Sequence, residues 1–287
     1  MKIVRTVADL EHEISKARSS GKKISFVPTM GAIHLGHVSL IELAKSNSEF
    51  VVASIFVNPL QFDSVTDLEQ YPKHEAADIK ALESSGTDVL FLPTVEQIYP
   101  NGNAVVTQSA GLVGSLFEGK SRKGHFDGML TVVSRLFDLV QPNVAIFGAK
   151  DAQQLFLVKQ MVREQIGSGL REPIEIIEAP TVREPGGLAL SSRNERLSAP
   201  EQTKALALSK AIELVSSNVE LGAGVALAHR LASSVFSATP EAKLDYLAFV
   251  NPETFEPVSD GFTGRALMIV AAEVGGVRLI DNGLVTL

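Results

Sequence analysis

Two histidines three residues apart, His34 and His37, are the side chains with the clearest chemical potential in this chain. They lie in Pro28-Thr29-Met30-Gly31-Ala32-Ile33-His34-Leu35-Gly36-His37. The apolar run Ile24-Ser25-Phe26-Val27 precedes the stretch, and Leu40, Ile41, Leu43 and Ala44 follow at helical spacing. A strand, a glycine-bearing turn and a helix start are thus expected in succession. That order aims backbone N–H groups and the positive end of a helix dipole at one spot, which suits phosphate. An imidazole there can donate to phosphate oxygens as charge builds on them. The pattern reads as a nucleoside triphosphate site. Two alternatives accompany it: an ordinary helix start, or a metal site. With no cysteine in the chain, a metal would have to draw its other ligands from His12, His74, His125, His229 and carboxylates.

Four further polar clusters follow apolar runs or turns. Asn58 and Gln61, in Phe56-Val57-Asn58-Pro59-Leu60-Gln61-Phe62, are amides that can bind a substrate hydroxyl or carboxylate without burying a charge. Read alone, Asn58-Pro59 is equally a turn. Glu118-Gly119-Lys120-Ser121-Arg122-Lys123-Gly124-His125-Phe126-Asp127-Gly128 offers basic groups to an anionic substrate or a leaving pyrophosphate, or forms a solvated loop. Gly148-Ala149-Lys150-Asp151 repeats the strand–glycine–helix logic. Lys150 suits phosphate, and Asp151 suits ribose hydroxyls, Mg²⁺ or a helix cap; Gln154 lies one turn further on. Leu190-Ser191-Ser192-Arg193-Asn194 supplies hydroxyls and a guanidinium for a triphosphate clamp, or serves as a plain interdomain loop.

The elements that must position these groups alternate. Strands are expected at 24–27, 50–57, 89–92, 105–108, 144–147 and 174–179, and helices at 7–19, 36–47, 73–84, 126–139 and 151–166. Alternation predicts an α/β fold: a doubly wound parallel sheet with helices on both faces and ligands at the carboxyl ends of its strands. Beyond Pro180 a smaller α+β domain is expected. It has a helix at 200–217 opened by a Ser198/Glu201 capping box, a helix at 225–236, and strands at 244–250, 266–274 and 277–280 with a Gly275-Gly276 hairpin turn. The expected domains are 1–181, carrying nucleotide and substrate, and 182–287, a lid.

Bulk properties set the outer bounds. The 287 residues are 45% hydrophobic and 21% charged, ordinary for a globular protein. A net charge of −7 argues against nucleic-acid binding. Lack of cysteine excludes disulfides, thiolate metal sites and a cysteine nucleophile. No apolar stretch nears the ~20 residues of a membrane span, and no secretory signal is read at the N-terminus, so a cytoplasmic location is expected.

All five motifs, in this order and spacing, resemble the pantothenate synthetase (pantoate–β-alanine ligase) family, and the likeness runs over nearly the whole chain. The resemblance implies a Rossmann-like N-terminal domain, a smaller C-terminal domain and a homodimer. It also implies ATP-dependent joining of (R)-pantoate to β-alanine through a pantoyl adenylate, with release of AMP and pyrophosphate and with Mg²⁺ accompanying ATP. By resemblance, Met30, Gly31, Ala32, Ile33, His34, Leu35, Gly36 and His37 hold ATP, with His37 as proton donor and His34 beside it on phosphate. Gly148, Ala149, Lys150, Asp151, Val182, Leu190, Ser191, Ser192 and Arg193 complete the nucleotide site, with Lys150, Ser192 and Arg193 on the phosphates. Gln61 and Gln154 hold pantoate, with Asn58 and Met30 lining the pocket, and Gln61 also borders β-alanine. Ile33 stands where leucine is frequent in the family, and Asp127 where the residue varies; neither touches the chemistry.

Overall fold

The computed structural model describes residues 1–62, 65–69, 71–99, 104–219, 222 and 224–287. In chain order the regular elements are β1 (Lys2–Val4), α1 (Val7–Ser19), β2 (Ile24–Thr29), α2 (Leu35–Asn47), β3 (Phe50–Ile55), α3 (Val65–Glu69), α4 (Glu75–Ser85), β4 (Val89–Phe91), α5 (Val95–Ile98), α6 (Glu118–Ser121), α7 (His125–Val140), β5 (Val144–Gly148), α8 (Ala152–Gly167) and β6 (Glu175–Ala179). Then come α9 (Ala199–Ala205), α10 (Ala207–Asn218), α11 (Val225–Ala238), β7 (Lys243–Val250), β8 (Arg265–Val274) and β9 (Val277–Thr286).

Two compact units result. One comprises Met1–Ala149 and Gln154–Pro180, the other Lys150–Gln153 and Thr181–Leu287. The first carries a six-stranded sheet in the order β1-β4-β3-β2-β5-β6, parallel throughout. Its strands are short, continuous apolar runs because both faces are covered. Alternate residues serve opposite faces. Phe26, Val52, Ala145 and Phe147 pack with α1, α7 and α8, whereas Val27, Ala53, Val144 and Ile146 pack with α2 and α4. The winding reverses at β2. Strands β3 and β4 extend the sheet on one side, and β5 and β6 on the other. Loops leaving the carboxyl ends of β2 and β5 therefore rise from adjacent strands at the switch point, where such sheets bind ligands.

In the second unit a three-stranded antiparallel sheet, β7-β8-β9, packs with α9, α10 and α11 around Leu208, Phe236, Met268 and Val270. Gly275 and Gly276 close the β8–β9 hairpin with φ of 57° and 75°, the left-handed pair that a type I′ turn demands. Ser198 and Glu201 form the expected capping box at α9.

Some expectations need correction. The run 105–108 is no strand; the N–H groups of Thr107 and Gln108 donate to Thr131 Oγ1 on α7, at 3.0 and 3.2 Å, so a side chain satisfies them in place of a sheet partner. The helix expected at 200–217 divides at Leu206 into α9 and α10. Strand β9 runs on to Thr286, because Asp281, Asn282 and Gly283, residues that favour turns, pair with Val270, Ile269 and Met268. β1 is a three-residue edge strand beside β4, too short to show periodicity. No helix among the described residues is long and apolar enough to cross a membrane.

Three rings anchor the α7 face: Phe137 meets Phe26 and Phe147 edge-on, each at 6.3 Å between centroids. Phe137 is fully buried. Truncation to alanine is expected to cost about 3–5 kcal/mol through lost burial and a residual cavity. Urea denaturation of Phe137→Ala against the parent measures it; a loss under about 1 kcal/mol contradicts the packing described.

Candidate active site

The turn after β2 places the two histidines at the head of α2 in a reciprocal arrangement. His34 is the N-cap, and its Nδ1 accepts the N–H of Gly36 at 3.1 Å. His37 Nδ1 accepts the N–H of His34 at 3.3 Å. The rings lie 4.1 Å apart at 35°. Both Nδ1 atoms act as acceptors, so in the neutral imidazoles the ring proton sits on Nε2. Two of the expected readings thus coincide: the pair caps the helix, and each ring carries an Nε2–H donor at the positive end of the α2 dipole.

The turn itself differs from expectation. The N–H groups of Ala32 and Ile33 are not directed to an external anion; they donate to the carboxylate of Asp78 on α4, at 2.9 and 2.7 Å. Gly31 takes φ 87°, and a Cβ there would sit 3.0 Å from Asp78 Oδ2 and 3.1 Å from Ile55 Cγ2. Sequence reading missed Asp78, because an acid in the first turn of a helix reads as a complement to the dipole.

After β3, residues Pro59–Gln61 form one 3₁₀ turn capped by Asn58. Asn58 is wholly buried and fully committed. Its Nδ2 donates to Gln61 Oε1 and to Gly128 O, each at 3.1 Å, while Oδ1 accepts Tyr99 OH at 2.7 Å and Leu60 N–H at 3.3 Å. With every amide position used, Asn58 does not present its polar atoms to a pocket; it orients Gln61. Gln61 Nε2 in turn points at Met30 Sδ, 3.0 Å away. Gly128 allows this approach, since any Cβ there would collide with Leu60 O.

The 118–128 segment also turns inward. His125 Nδ1 meets Gln61 O at 2.7 Å, and Arg122 donates to the same oxygen from Nη2 at 3.3 Å. A carbonyl oxygen only accepts, so His125 carries its proton on Nδ1, leaving Nε2 to accept from Arg122 Nη1 at 3.2 Å. Arg122 pairs with buried Glu118 at 3.7 Å. Of the basic cluster, Lys120 and Lys123 are exposed, whereas Arg122 and His125 hold the Gln61 main chain. Gln154 stands half-buried in the first turn of α8.

In the second unit, Lys150 Nζ lies 3.3 Å from Asp151 Oδ1, and Lys150 O accepts Asn282 Nδ2 at 2.7 Å. The helix α8 begins at Ala152, one residue later than expected. Arg183 forms a fork with buried Asp281, at 2.6 and 2.9 Å, which raises the guanidinium's affinity for its proton. The fork and the antiparallel bridge Arg183–Ala189 shape the turn leading from Val182 to Leu190; Leu190 N–H donates to Val182 O at 3.0 Å. Ser191 caps the 3₁₀ turn Ser192–Arg196 by accepting from Arg193 N, and Ser192 is buried. Nothing in the residue types alone marked Asp281 and Asn282, which lie 98 and 132 positions from their partners Arg183 and Lys150. Among the described residues no three His, Asp or Glu side chains gather as a metal site.

Fold and site together define an α/β enzyme with its polar machinery at the switch point of a parallel sheet. Residues 2–284 match the family model described as pantoate-beta-alanine ligase. A pantothenate synthetase from Thermobifida fusca is 46% identical over 282 residues, covering 96% of this chain and 94% of the relative. The crystal structure of pantothenate synthetase from Thermus thermophilus superposes with a TM-score of 0.90 at 46% identity, covering 99% of each chain. That of pantoate-beta-alanine ligase from Francisella tularensis, complexed with beta-gamma ATP and beta-alanine, gives 0.80 at 37%, covering 99% of this chain and 97% of that one. The chain belongs to the pantoate–β-alanine ligase family.

Tyr99 gives the Gln61 support a pH signature. Burial pushes its phenol well above the ordinary value near 10. The unfolded chain therefore releases this proton before the folded one does. Stability from the group is fully present below about pH 10 and is lost as pH rises further. Tyr99→Phe is expected to flatten the alkaline limb of the stability curve while costing about 1 kcal/mol at pH 8 from the lost bond to Asn58. Urea titrations from pH 8 to 11 test this, and parallel curves for the two proteins contradict it.

Proposed function

We propose that this chain joins (R)-pantoate to β-alanine in two steps at the expense of ATP. A pantoate carboxylate oxygen attacks the α-phosphorus, the bond to the β-phosphate breaks, and pyrophosphate leaves. The amine of β-alanine then attacks the acyl carbon of the pantoyl adenylate, AMP departs with the bonding electrons, and the amine proton is released. The observation that carries the reading is the His34–His37 pair, whose reciprocal capping fixes two Nε2–H donors at the head of α2. Family membership and the ATP and beta-alanine complex of the Francisella relative support it.

In this reading Met30, Gly31, Ala32, Ile33, His34, Leu35, Gly36 and His37 border ATP, with His37 donating to the phosphates as pyrophosphate leaves and His34 beside it. Donors placed where charge develops lower the barrier directly. Lys150, Ser192 and Arg193 neutralise the phosphates, and Gly148, Ala149, Asp151, Val182, Leu190 and Ser191 complete the nucleotide contacts. Gln61 and Gln154 hold pantoate against Met30. Asn58 acts through Gln61, whose amide it orients, and Gln61 also borders β-alanine. Two uncharged amides bind a small hydroxy acid without adding a buried ion that needs its own partner. Mg²⁺ enters as part of Mg·ATP, held chiefly by the substrate's phosphates. A homodimer, working in the cytoplasm, completes the proposal by analogy with the family.

The decisive experiment follows AMP, pyrophosphate and pantothenate from Mg·ATP and (R)-pantoate, with and without β-alanine. AMP and pantothenate in equal amounts, only with all three substrates, is the expected result. Pyrophosphate without AMP, indifferent to β-alanine, overturns the ligase reading in favour of a nucleotidyltransferase. His37→Ala is expected to slow adenylation by on the order of 100-fold; an unchanged rate of pyrophosphate release removes His37 from the chemistry. Gln61→Ala is expected to raise KM for pantoate by about tenfold or more, the loss of one well-placed hydrogen bond or two, with little change for ATP. Equal losses for both substrates contradict that assignment.

A further inference from the structure

The residues between the two halves of the proposed site form a backbone anion trap, and the protein fills it itself. Gly31 and Ala32 both adopt left-handed conformations, φ 87° and 50°. Successive backbone N–H groups in such a turn can converge on one side and make a nest for an anion, and here those of Ala32 and Ile33 do so. Ala32 has a Cβ, so its conformation costs energy that the surroundings must supply. They supply it through Asp78, 3% exposed, which accepts from Ala32 N–H at Oδ2 and from Ile33 N–H at Oδ1. Glycine at 31 leaves the carboxylate room, since a Cβ there would press on Oδ2 at 3.0 Å.

We propose that Asp78 is a positioning residue for adenyl transfer, its carboxylate occupying the nest at residues 31–33 and thereby fixing the distance between the Met30–Gln61 contact and the His34–His37 pair. The proposal rests on the function stated above. Met30 is the residue before the clamped segment and touches Gln61 Nε2. His34 is the residue after it and caps α2. The three residues between are the direct covalent path from the pantoate side to the histidines, and two of their N–H groups end on one rigid group from α4. The same contact assigns phosphate elsewhere. With the nest filled by an internal carboxylate, ATP is left to the Nε2–H donors and the basic side chains rather than to the turn. A carboxylate attacking an α-phosphate needs its two anions placed to within a fraction of an ångström, and small displacements cost large factors in rate.

Three variants of the full chain test the assignment: Asp78→Asn, Asp78→Ala and Gly31→Ala. In Asp78→Asn an NH₂ faces one of the two backbone donors; Gly31→Ala retains the carboxylate but crowds it. Adenylation is read as pantoate-dependent exchange of pyrophosphate into ATP, and aminolysis as β-alanine consumption of synthetic pantoyl adenylate. Folding is checked by circular dichroism and thermal melting. Expected for folded Asp78→Asn is a fall in exchange kcat on the order of 100-fold, KM values for ATP and pantoate within about threefold, and a much smaller loss in aminolysis. Gly31→Ala is expected to show the same split. Formate is expected to raise the exchange rate of Asp78→Ala by refilling the nest, and to leave the parent unchanged. Folded Asp78→Asn with parental exchange overturns the proposal. So do equal losses in both half-reactions without formate rescue, which mark a purely structural role. Should Asp78→Asn fail to fold, Gly31→Ala and formate rescue of Asp78→Ala decide by the same criteria. A parent that shows no pantoate-dependent exchange at all overturns the function itself, an outcome distinct from failure of the positioning role.

Discussion

The reversal of winding between β2 and β5 is the constraint on which the first unit rests. Every strand of the six points the same way, so all the loops at one edge are carboxyl-terminal. Only at the β2–β5 junction do the crossovers on either side lead away from each other and leave an open crevice. The helices α2 and α4 cover one face and α1, α7 and α8 the other, which buries the strands on both sides. A parallel sheet so enclosed is a stiff platform, and the short turn after β2 inherits that stiffness.

Polar groups near the site are tied down in layers. Asn58 spends all its hydrogen-bonding capacity on Gln61, Gly128, Tyr99 and Leu60. His125 and Arg122 then hold the Gln61 main chain from beneath. Buried amides and imidazoles left without partners would each cost about 1–3 kcal/mol, so a complete network is the condition for placing them here at all. In the second unit the Arg183–Asp281 fork and the Asn282 contact to Lys150 perform the same task for the 150 turn and the 182–190 strand pair. Arg122 and His125, basic groups that the sequence offers to an anion, hold the Gln61 main chain.

What could be read beforehand follows the range of the interaction. Runs such as 24–27 and 144–147 announce buried parallel strands because continuous apolarity is a local property. The helix Val7–Ser19 is legible to the residue because Thr6 caps it and apolar residues recur on one side. The family likeness rests on five short motifs and is equally local. The partners of the motifs were not legible. Asp78 reaches Ala32 across 46 positions, and nothing in Glu75-Ala76-Ala77-Asp78 distinguishes a buried acid from a solvated one. The segment 105–108 has the composition of a strand, yet a single threonine hydroxyl on α7 takes its N–H groups. Asp281-Asn282-Gly283 has the composition of a turn, yet β8 offers a ladder long enough to hold it extended.

Gly128 carries a consequence for anyone wishing to redesign the enzyme. A helix backbone and a 3₁₀ turn meet there with room for a hydrogen atom and nothing larger. The alphabet at that position is therefore one letter long. Because Asn58 bonds to the carbonyl of the same glycine, the wall behind Gln61 cannot be moved outward by trimming side chains; there is no side chain to trim. On the function proposed above, remodelling the pocket for a bulkier hydroxy acid has to proceed from Met30, a flexible thioether that adapts to new shapes, and leave the opposite wall as it stands.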